Sequence, residues 1–442
     1  MQKRKFAALD APQNRLGVRL VNETPRKDTF ATTHRFTPNS GMPLEPVPLE
    51  PYRSPEFFER EKEKVFMRAW LMIAREEEIP NPGDYVVKPV EIADASILLT
   101  RTKSGAVRAF YNSCAHRGSE VVTEPKGRAS RIVCPYHQWT YTNEGDLIGV
   151  PDEVEFFMDK KKCGLAPVTM DIWEGYVFIN FQQEPEVSLL EFLGPLTKQL
   201  EGVPYASADN SFLVRAEINA NWKVVSDAFL ESYHIPAIHP ETIGTTFSSG
   251  DNPHARLLDA KILGSHAFVS MYGNPQFELE ERHKIDRVAQ KLDSSGSVIS
   301  AGTLDEMADF LAHPTVNPTK TDGWSMDSVY IFPNTHINWG PGGFWIHNYW
   351  PIAHNRCRHE TRFFMARPTS ARQRLQQELY VARVIEVIAE DVSNTERTQR
   401  GLTNPGQTHM QLQDNEIAIR HSVNRILHWV SSETMKEAVA ND

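Results

Sequence analysis

Four residues able to bind metal open the account: Cys114, His116, Cys134 and His137 follow one another as Cys-x-His, seventeen residues, then Cys-x-x-His. Two thiolates and two imidazoles in two short hooks suit a [2Fe-2S] centre with cysteines on one iron and histidines on the other. Neutral imidazoles raise its potential above that of an all-cysteine cluster. Tetrahedral zinc takes the same ligand types and is the competing occupant. Zinc sites usually separate paired ligands by two or more residues and group cysteine with cysteine, whereas CAHRG and CPYHQW each carry one of either kind.

A second set lies further on, in NWKVVSDAFLESYHIPAIHP. The spacing predicts a helix from about Trp222 to His234, with Trp222, Val225, Phe229 and Tyr233 as an apolar stripe and Lys223, Asp227, Glu231 and His234 as a polar one. On an unbroken helix His239 would stand about 140° around the axis from His234, but Pro236 disrupts the helix and lets the two rings converge. Two such histidines and a carboxylate make a facial triad that leaves positions open on Fe(II) for dioxygen. A later helix, roughly Arg372 to Arg400, offers the carboxylate. There Tyr380, Val384, Ile388 and Asp391 share an apolar face, while Glu390 continues the polar face of Arg383, Glu386 and Arg397. A carboxylate in an apolar stripe is costly unless paired, protonated or metal-bound. Asp391 is therefore the expected ligand, with an ion pair to an arginine such as Arg400 as the alternative.

Asn112 before the first hook, Arg117 and Gly118 after it, and Tyr136 and Trp139 around His137 make this segment resemble the Rieske motif. NWK, ESYH with His239 five residues on, and EDVSNTERTQRGL resemble the two iron-site helices of Rieske-type non-haem iron oxygenase α subunits, and the likeness runs from about residue 50 to about 425. It implies that Cys114, His116, Cys134 and His137 hold a [2Fe-2S] cluster and that His234, His239 and Asp391 hold mononuclear iron. Glu231 then takes the place of the acidic residue that links an iron-ligand histidine to a cluster histidine of the neighbouring subunit. Three positions depart from the pattern: Gln138 stands where glycine is common, and Ser226-Asp227 where Glu-Asn is common.

The elements needed to hold these residues are legible. Up to about Pro51 the chain is rich in proline, threonine and charge, an N-terminal arm (1–51) without periodicity. Ser54 is a candidate helix cap with Pro55 at the first helical position. Short β-prone runs follow to about Phe181, an antiparallel β domain (52–182) presenting the hooks on two loops. The remainder (183–442) alternates strands with two strong helices, so the fold class is α+β, an antiparallel sheet with packed helices; the resemblance implies a Rieske-type β domain plus a catalytic domain of helix-grip type. KILGSHAFVSMY and SVYIFPNTHINW each read as one strand, and LDEMADFLA as a short helix.

At 442 residues and 24% charged the composition is that of a soluble protein of several cores. A net charge of -10 disfavours nucleic acid, no run is long and apolar enough for a membrane, and Cys163 and Cys357 have no pairing pattern, which suits a reducing, cytoplasmic setting. The expected function is a terminal oxygenase that hydroxylates an aromatic or other apolar small molecule; oxidative O- or N-demethylation is the alternative, and an electron-transfer protein without oxygen chemistry a third. Since no Gly-x-Gly-x-x-Gly follows a strand, the resemblance implies electrons from NAD(P)H through a separate reductase or ferredoxin, O2 as co-substrate, and a homotrimer with or without a β subunit. The expected pocket draws on Ala228, Ala237, Ile238, Tyr380, Val384, the 244–324 stretch and the Phe332–Trp350 strands with Trp339, Phe344 and Trp345. His347 is expected to be available to a substrate carboxylate.

Overall fold

The structure, a computed structural model, describes residues 35–203, 210–292, 308–340, 343–365 and 367–440. Much of the expected N-terminal arm, and the first part of LDEMADFLA, lie outside the described residues. From residue 35 the arm is tied to the far end of the chain. The Phe36 and Thr37 amides donate to the Asp414 carboxylate at 2.9 and 2.8 Å, and Val47–Pro48 pairs antiparallel with His409–Met410. Ser54 caps as its position suggested: its Oγ accepts from the Phe57 amide at 3.0 Å, and Pro55 opens the helix Pro55–Glu61.

Alternation drives the first β unit. In Asp84–Val90 every second side chain is buried, and this strand lies between Ala95–Arg101 and Lys126–Arg128, with Val107–Tyr111 on the outer side of Ala95–Arg101. A second small sheet, Ile132–Val133, Thr140–Tyr141 and Leu147–Gly149, closes over it. Leu98, Phe110, Ile132, Trp139, Tyr141 and Leu165 pack with Cys114 and Cys134 into a separate apolar core. The first hook follows Val107–Tyr111, and the second is the turn joining Ile132–Val133 to Thr140–Tyr141.

The second half builds a seven-stranded antiparallel sheet in the order Asn210–Ile218, Arg356–Met365, Gly343–Ala353, Thr335–Gly340, Trp324–Ile331, His266–Tyr272, Asp259–Leu263. Two runs expected as single strands are hairpins. KILGSHAFVSMY turns at Gly264, whose φ of +66° is the left-handed conformation glycine takes without strain, and SVYIFPNTHINW turns at Phe332–Asn334. Periodicity of two persists through a tight turn, so alternation alone did not reveal either break.

The long helix Ala371–Leu402 arises close to its expected bounds, capped by Ser370. The expected helix from Trp222 to His234 is shorter, Trp222–Asp227, followed by tight turns and a separate helix Ile235–Ile238. Nor is its polar stripe solvated. Lys223 Nζ meets Glu61 Oε1 at 2.6 Å with both side chains buried, and the Tyr52 hydroxyl donates to Asp227 at 2.6 Å. Tyr233, assigned to the apolar stripe, is half exposed. The two units meet across a charged seam: Arg358 pairs with Glu91, Arg362 reaches Glu78 at 3.3 Å, and Lys88 reaches the same Glu78 oxygen at 2.8 Å.

Candidate metal centres

The turns after Asp227 aim the first histidine. Ser232 Oγ is anchored on the Ala255 carbonyl at 2.6 Å, and Pro236 then sits in the first turn of Ile235–Ile238, where its missing N–H is harmless. Pro236 thus starts a short helix instead of breaking a longer one, and the expected convergence of His234 and His239 comes from this change of direction. Their rings lie 5.2 Å apart.

Each ring is held at Nδ1 and presents Nε2. Glu231 Oε1 accepts from His234 Nδ1 at 2.5 Å and Glu231 Oε2 from the His234 amide at 3.1 Å; Glu390 Oε2 accepts from His239 Nδ1 at 2.6 Å. Both Nε2 atoms face Asp391 Oδ1, at 3.4 Å for His234 and 3.0 Å for His239. Among the described residues, His234, His239 and Asp391 form a group whose ligand atoms all lie within 4.8 Å of one another. A carboxylate on Nδ1 fixes the tautomer with its lone pair on Nε2 and raises imidazole basicity, as metal-bound histidines require. The electrostatics call for a cation at this point. Burial opposes charging His234, yet the hydrogen bonds of Asp391 and Glu231 overcome it and lift its pKa to about 10; burial would raise Asp391, but the two imidazoles hold it below its usual range. These residues fit a metal ion.

Glu390 corrects the helical-wheel assignment. It was placed on the polar face with Glu386, but it turns back onto His239 and also accepts from Thr242 Oγ1 at 2.7 Å. Adjacent positions on a helix are about 100° apart, so Asp391 and Glu390 straddle one imidazole. The acidic pair was visible in the sequence; which neighbour each would meet was not. Asp391 makes no ion pair with Arg400. At Asp227, one of the three positions that depart from the family pattern, burial pushes the carboxyl up to about 7, and the Tyr52 hydroxyl bonds it.

The hooks have matching backbones. Cys114 O accepts from Gly118 N at 2.9 Å and Cys134 O from Gln138 N at 3.0 Å; Cys114 N donates to Ser119 O and Cys134 N to Trp139 O, each at 2.8 Å. Both fourth-following residues are left-handed, Gly118 at φ +75° and Gln138 at φ +60°. This conformation explains the preference for glycine at position 138. The two imidazoles stand 4.6 Å apart, and His116 Nδ1 is buried without a hydrogen-bond partner among the described residues, as an atom reserved for a metal would be. Tyr141, which the motif did not single out, places its hydroxyl 3.1 Å from Cys114 Sγ and accepts from the Ala115 amide. The hooks pair like with like, since the two imidazoles face each other and the Cys114 thiol interacts with that of Cys134. Thiols on one side and imidazoles on the other suit two irons, one held by each pair.

A cavity of about 180 Å³ opens over His234, His239 and Asp391. Of the residues expected to line it, Ala228, Trp345, His347, Tyr380 and Val384 do so, as do Phe247, Met271 and Phe277 from the 244–324 stretch; Phe229 joins them unexpected. Ala237 and Ile238 do not line it, and Phe332, Trp339 and Phe344 are core. The Trp339 indole donates to Asp327 at 2.8 Å, and Phe344 stacks on Phe364. His347 is not available to a carboxylate. Its Nε2 accepts from the Trp345 indole at 3.0 Å, its Nδ1 is bonded to His359 and Thr361 at 3.0 and 2.9 Å, and burial drives its pKa well below the usual range.

This pairing of a Cys2His2 β domain with a two-histidine, one-carboxylate α+β domain defines a class. The chain belongs to the ring-hydroxylating alpha subunit family: that family's catalytic-domain model matches residues 205–432, and a Rieske [2Fe-2S] domain model matches residues 69–166. Members carry a Rieske [2Fe-2S] cluster and a mononuclear non-haem iron. Among its relatives, the glycine betaine monooxygenase oxygenase subunit of Chromohalobacter salexigens is 35% identical over 215 residues, 47% of either chain. The N,N-dimethyl phenylurea N-demethylase subunit alpha of Sphingobium sp. is 33% identical over 219 residues, 46% of either chain. The chain thus spans about half the length of the curated relatives it matches. Its fold is shared with naphthalene 1,2-dioxygenase from Rhodococcus sp. (TM-score 0.68, 21% identity, 90% of this chain and 95% of that one) and with a quaternary ammonium Rieske monooxygenase (TM-score 0.67, 21% identity, 87% and 95%). No helix among the described residues is long and apolar enough to cross a membrane.

Proposed function

We propose that this chain is the terminal oxygenase component of a multicomponent system, taking electrons originating in NAD(P)H from a reductase or ferredoxin and inserting oxygen from O2 into a small molecule. The observation that carries this is the convergence of His234 Nε2, His239 Nε2 and Asp391 Oδ1 beneath an apolar cavity. His234, His239 and Asp391 are the iron ligands, and Cys114, His116, Cys134 and His137 those of the cluster. When bound, the cluster supplies single electrons and the iron supplies open coordination positions for dioxygen. The chain's own residues do the rest. Glu231 and Glu390 orient the imidazoles, Asp391 balances charge, and Phe229, Trp345 and Tyr380 keep water from the reacting end of the substrate.

Oxidative demethylation gains weight from the relatives named for N-methylated compounds, glycine betaine and N,N-dimethyl phenylurea. We place an apolar or N-methylated small molecule in the pocket, with an aromatic ring accommodated by the aromatic lining. Assembly as a homotrimer, in which Glu231 would link its iron site to the next subunit's cluster, is supported by apolar side chains left exposed around the second hook: Val133, Tyr136, Val154 and Phe157. The test is a single turnover of chemically reduced protein with labelled O2 and a panel of arenes, methyl ethers and methylamines. Labelled product is expected from the wild type and none from Asp391→Ala, which should keep the cluster's colour and lose the second iron. Normal turnover by Asp391→Ala would overturn the ligand assignment.

A further inference from the structure

Among the described residues lining the cavity, Arg383 is the one lysine or arginine, and it is already paired. Its guanidinium forms an ion pair with Asp286, on the helix Lys284–Leu292, and donates to the Thr242 carbonyl at 3.2 Å. Both side chains are largely buried and both line the cavity. The other cationic candidate, His347, is a neutral imidazole with both nitrogens engaged. The wall away from the iron ligands is otherwise apolar or neutral, through Phe277, Met326, Asn338 and Tyr380.

An anionic substrate entering this space would be stripped of water with no unpaired cation to receive it, and would lie beside the Asp286 carboxylate. An unpaired charge in such a place carries a large desolvation penalty. We infer that Asp286 is a specificity-determining residue: by occupying Arg383 it keeps the pocket free of net positive charge, so the site takes substrates whose buried end is uncharged and rejects those whose buried end is a carboxylate. This rests on the cavity being the substrate site of the proposed oxygenase. The same geometry makes the preference switchable, because the arginine that could bind a carboxylate is present and, among the described residues, Asp286 is the carboxylate ion-paired with it.

The test is equilibrium binding to the holoenzyme of two probes of nearly equal shape, phenylacetate and phenylacetamide. It is read calorimetrically and by quenching of tryptophan fluorescence, since Trp345 forms part of the wall. Wild type should bind the amide at least tenfold more tightly than the carboxylate. Asp286→Asn should tighten phenylacetate at least tenfold with little change for the amide, and adding Arg383→Gln should abolish that gain. Arg383→Gln alone, which leaves Asp286 unpaired, should instead favour benzyltrimethylammonium at least tenfold, so the idea is checked even if Asp286→Asn folds poorly. Equal affinity of the wild type for both probes, or an unchanged ratio in Asp286→Asn and no gain of the cation in Arg383→Gln, overturns it. Binding is measured without turnover, so a failure to form labelled product bears on the oxygenase proposal, while an unchanged ratio in an enzyme that still turns over bears on Asp286 alone.

Discussion

Replacing Glu390 probes how the proposed iron site is held, because this residue meets that site through His239. Its Oε2 lies 2.6 Å from His239 Nδ1 and 2.7 Å from Thr242 Oγ1, a short charge-assisted contact braced from a second side. That contact turns the ring so that Nε2 faces Asp391 at 3.0 Å, where a metal ion would meet its lone pair. Removing a carboxylate behind a ligating imidazole typically lowers metal affinity about 10–100-fold, or about 1.4–2.7 kcal/mol. Gln at 390 can still accept the hydrogen bond but has lost the charge, so Glu390→Gln should fall near the tenfold end. Glu390→Ala, which also abandons Thr242, should approach a hundredfold. Glu386→Ala, one turn earlier on the same helix and in none of these contacts, is the control and should bind iron as wild type does. The assay is anaerobic titration of mononuclear-iron-depleted protein with Fe(II), scored by metal content after desalting, with cluster absorbance as an internal standard. If Glu390→Ala and Glu386→Ala bound Fe(II) within twofold of each other, the orienting role given to Glu390 would be wrong.

Other parts of the structure give sharper expectations for stability. Gln138 holds φ +60°, so Gln138→Gly should leave cluster content and melting temperature close to wild type, whereas β-branched Gln138→Val should lose about 1–2 kcal/mol and bind the cluster poorly. Lys223 and Glu61 are buried together at 2.6 Å; Lys223→Met alone should cost about 3–5 kcal/mol in urea unfolding, and most of that should return in the Lys223→Met, Glu61→Leu double variant. Acid should destabilise the fold steeply. Burial depresses His266 to about 4, His336 to about 3, His359 to about 4 and His421 to about 3, and takes His347 well below its usual range, so these groups contribute stability above about pH 6.5 that is lost as pH falls toward 4. Burial raises Asp327 to about 6 and Asp227 to about 7, which acts in the opposite sense over the same window. The lowered histidines outnumber the raised carboxylates, so unfolding takes up protons near pH 5 and stability falls with pH there. Urea midpoints that did not move between pH 7 and pH 5 would contradict this.

By itself, the sequence determined the parts whose information is local. The type and spacing of the hook residues pointed to the [2Fe-2S] domain that the family match shows, because such a centre draws its ligands from two short loops. The stripe through Ile388 and Asp391 separated a buried carboxylate from its neighbour, because helical period converts position into facing. Alternation found the strands, although it passed through the turns at Gly264 and Phe332–Asn334 unmarked. Tertiary structure decided everything that depends on what stands opposite. The stripe around Lys223 and Asp227 is polar in the sequence, and only the fold shows that Glu61 and Tyr52, from more than 160 residues away, fill that side. Glu390 became a partner of His239 because the chain turns back after Asp227, and His347 lost its availability to the neighbours that Gly343–Ala353 and Arg356–Met365 bring beside it. A side chain's type and period fix which way it points. Only packing between distant segments fixes whether water, a metal ligand or another charge waits there, and that decides whether a polar residue is surface, structure or site.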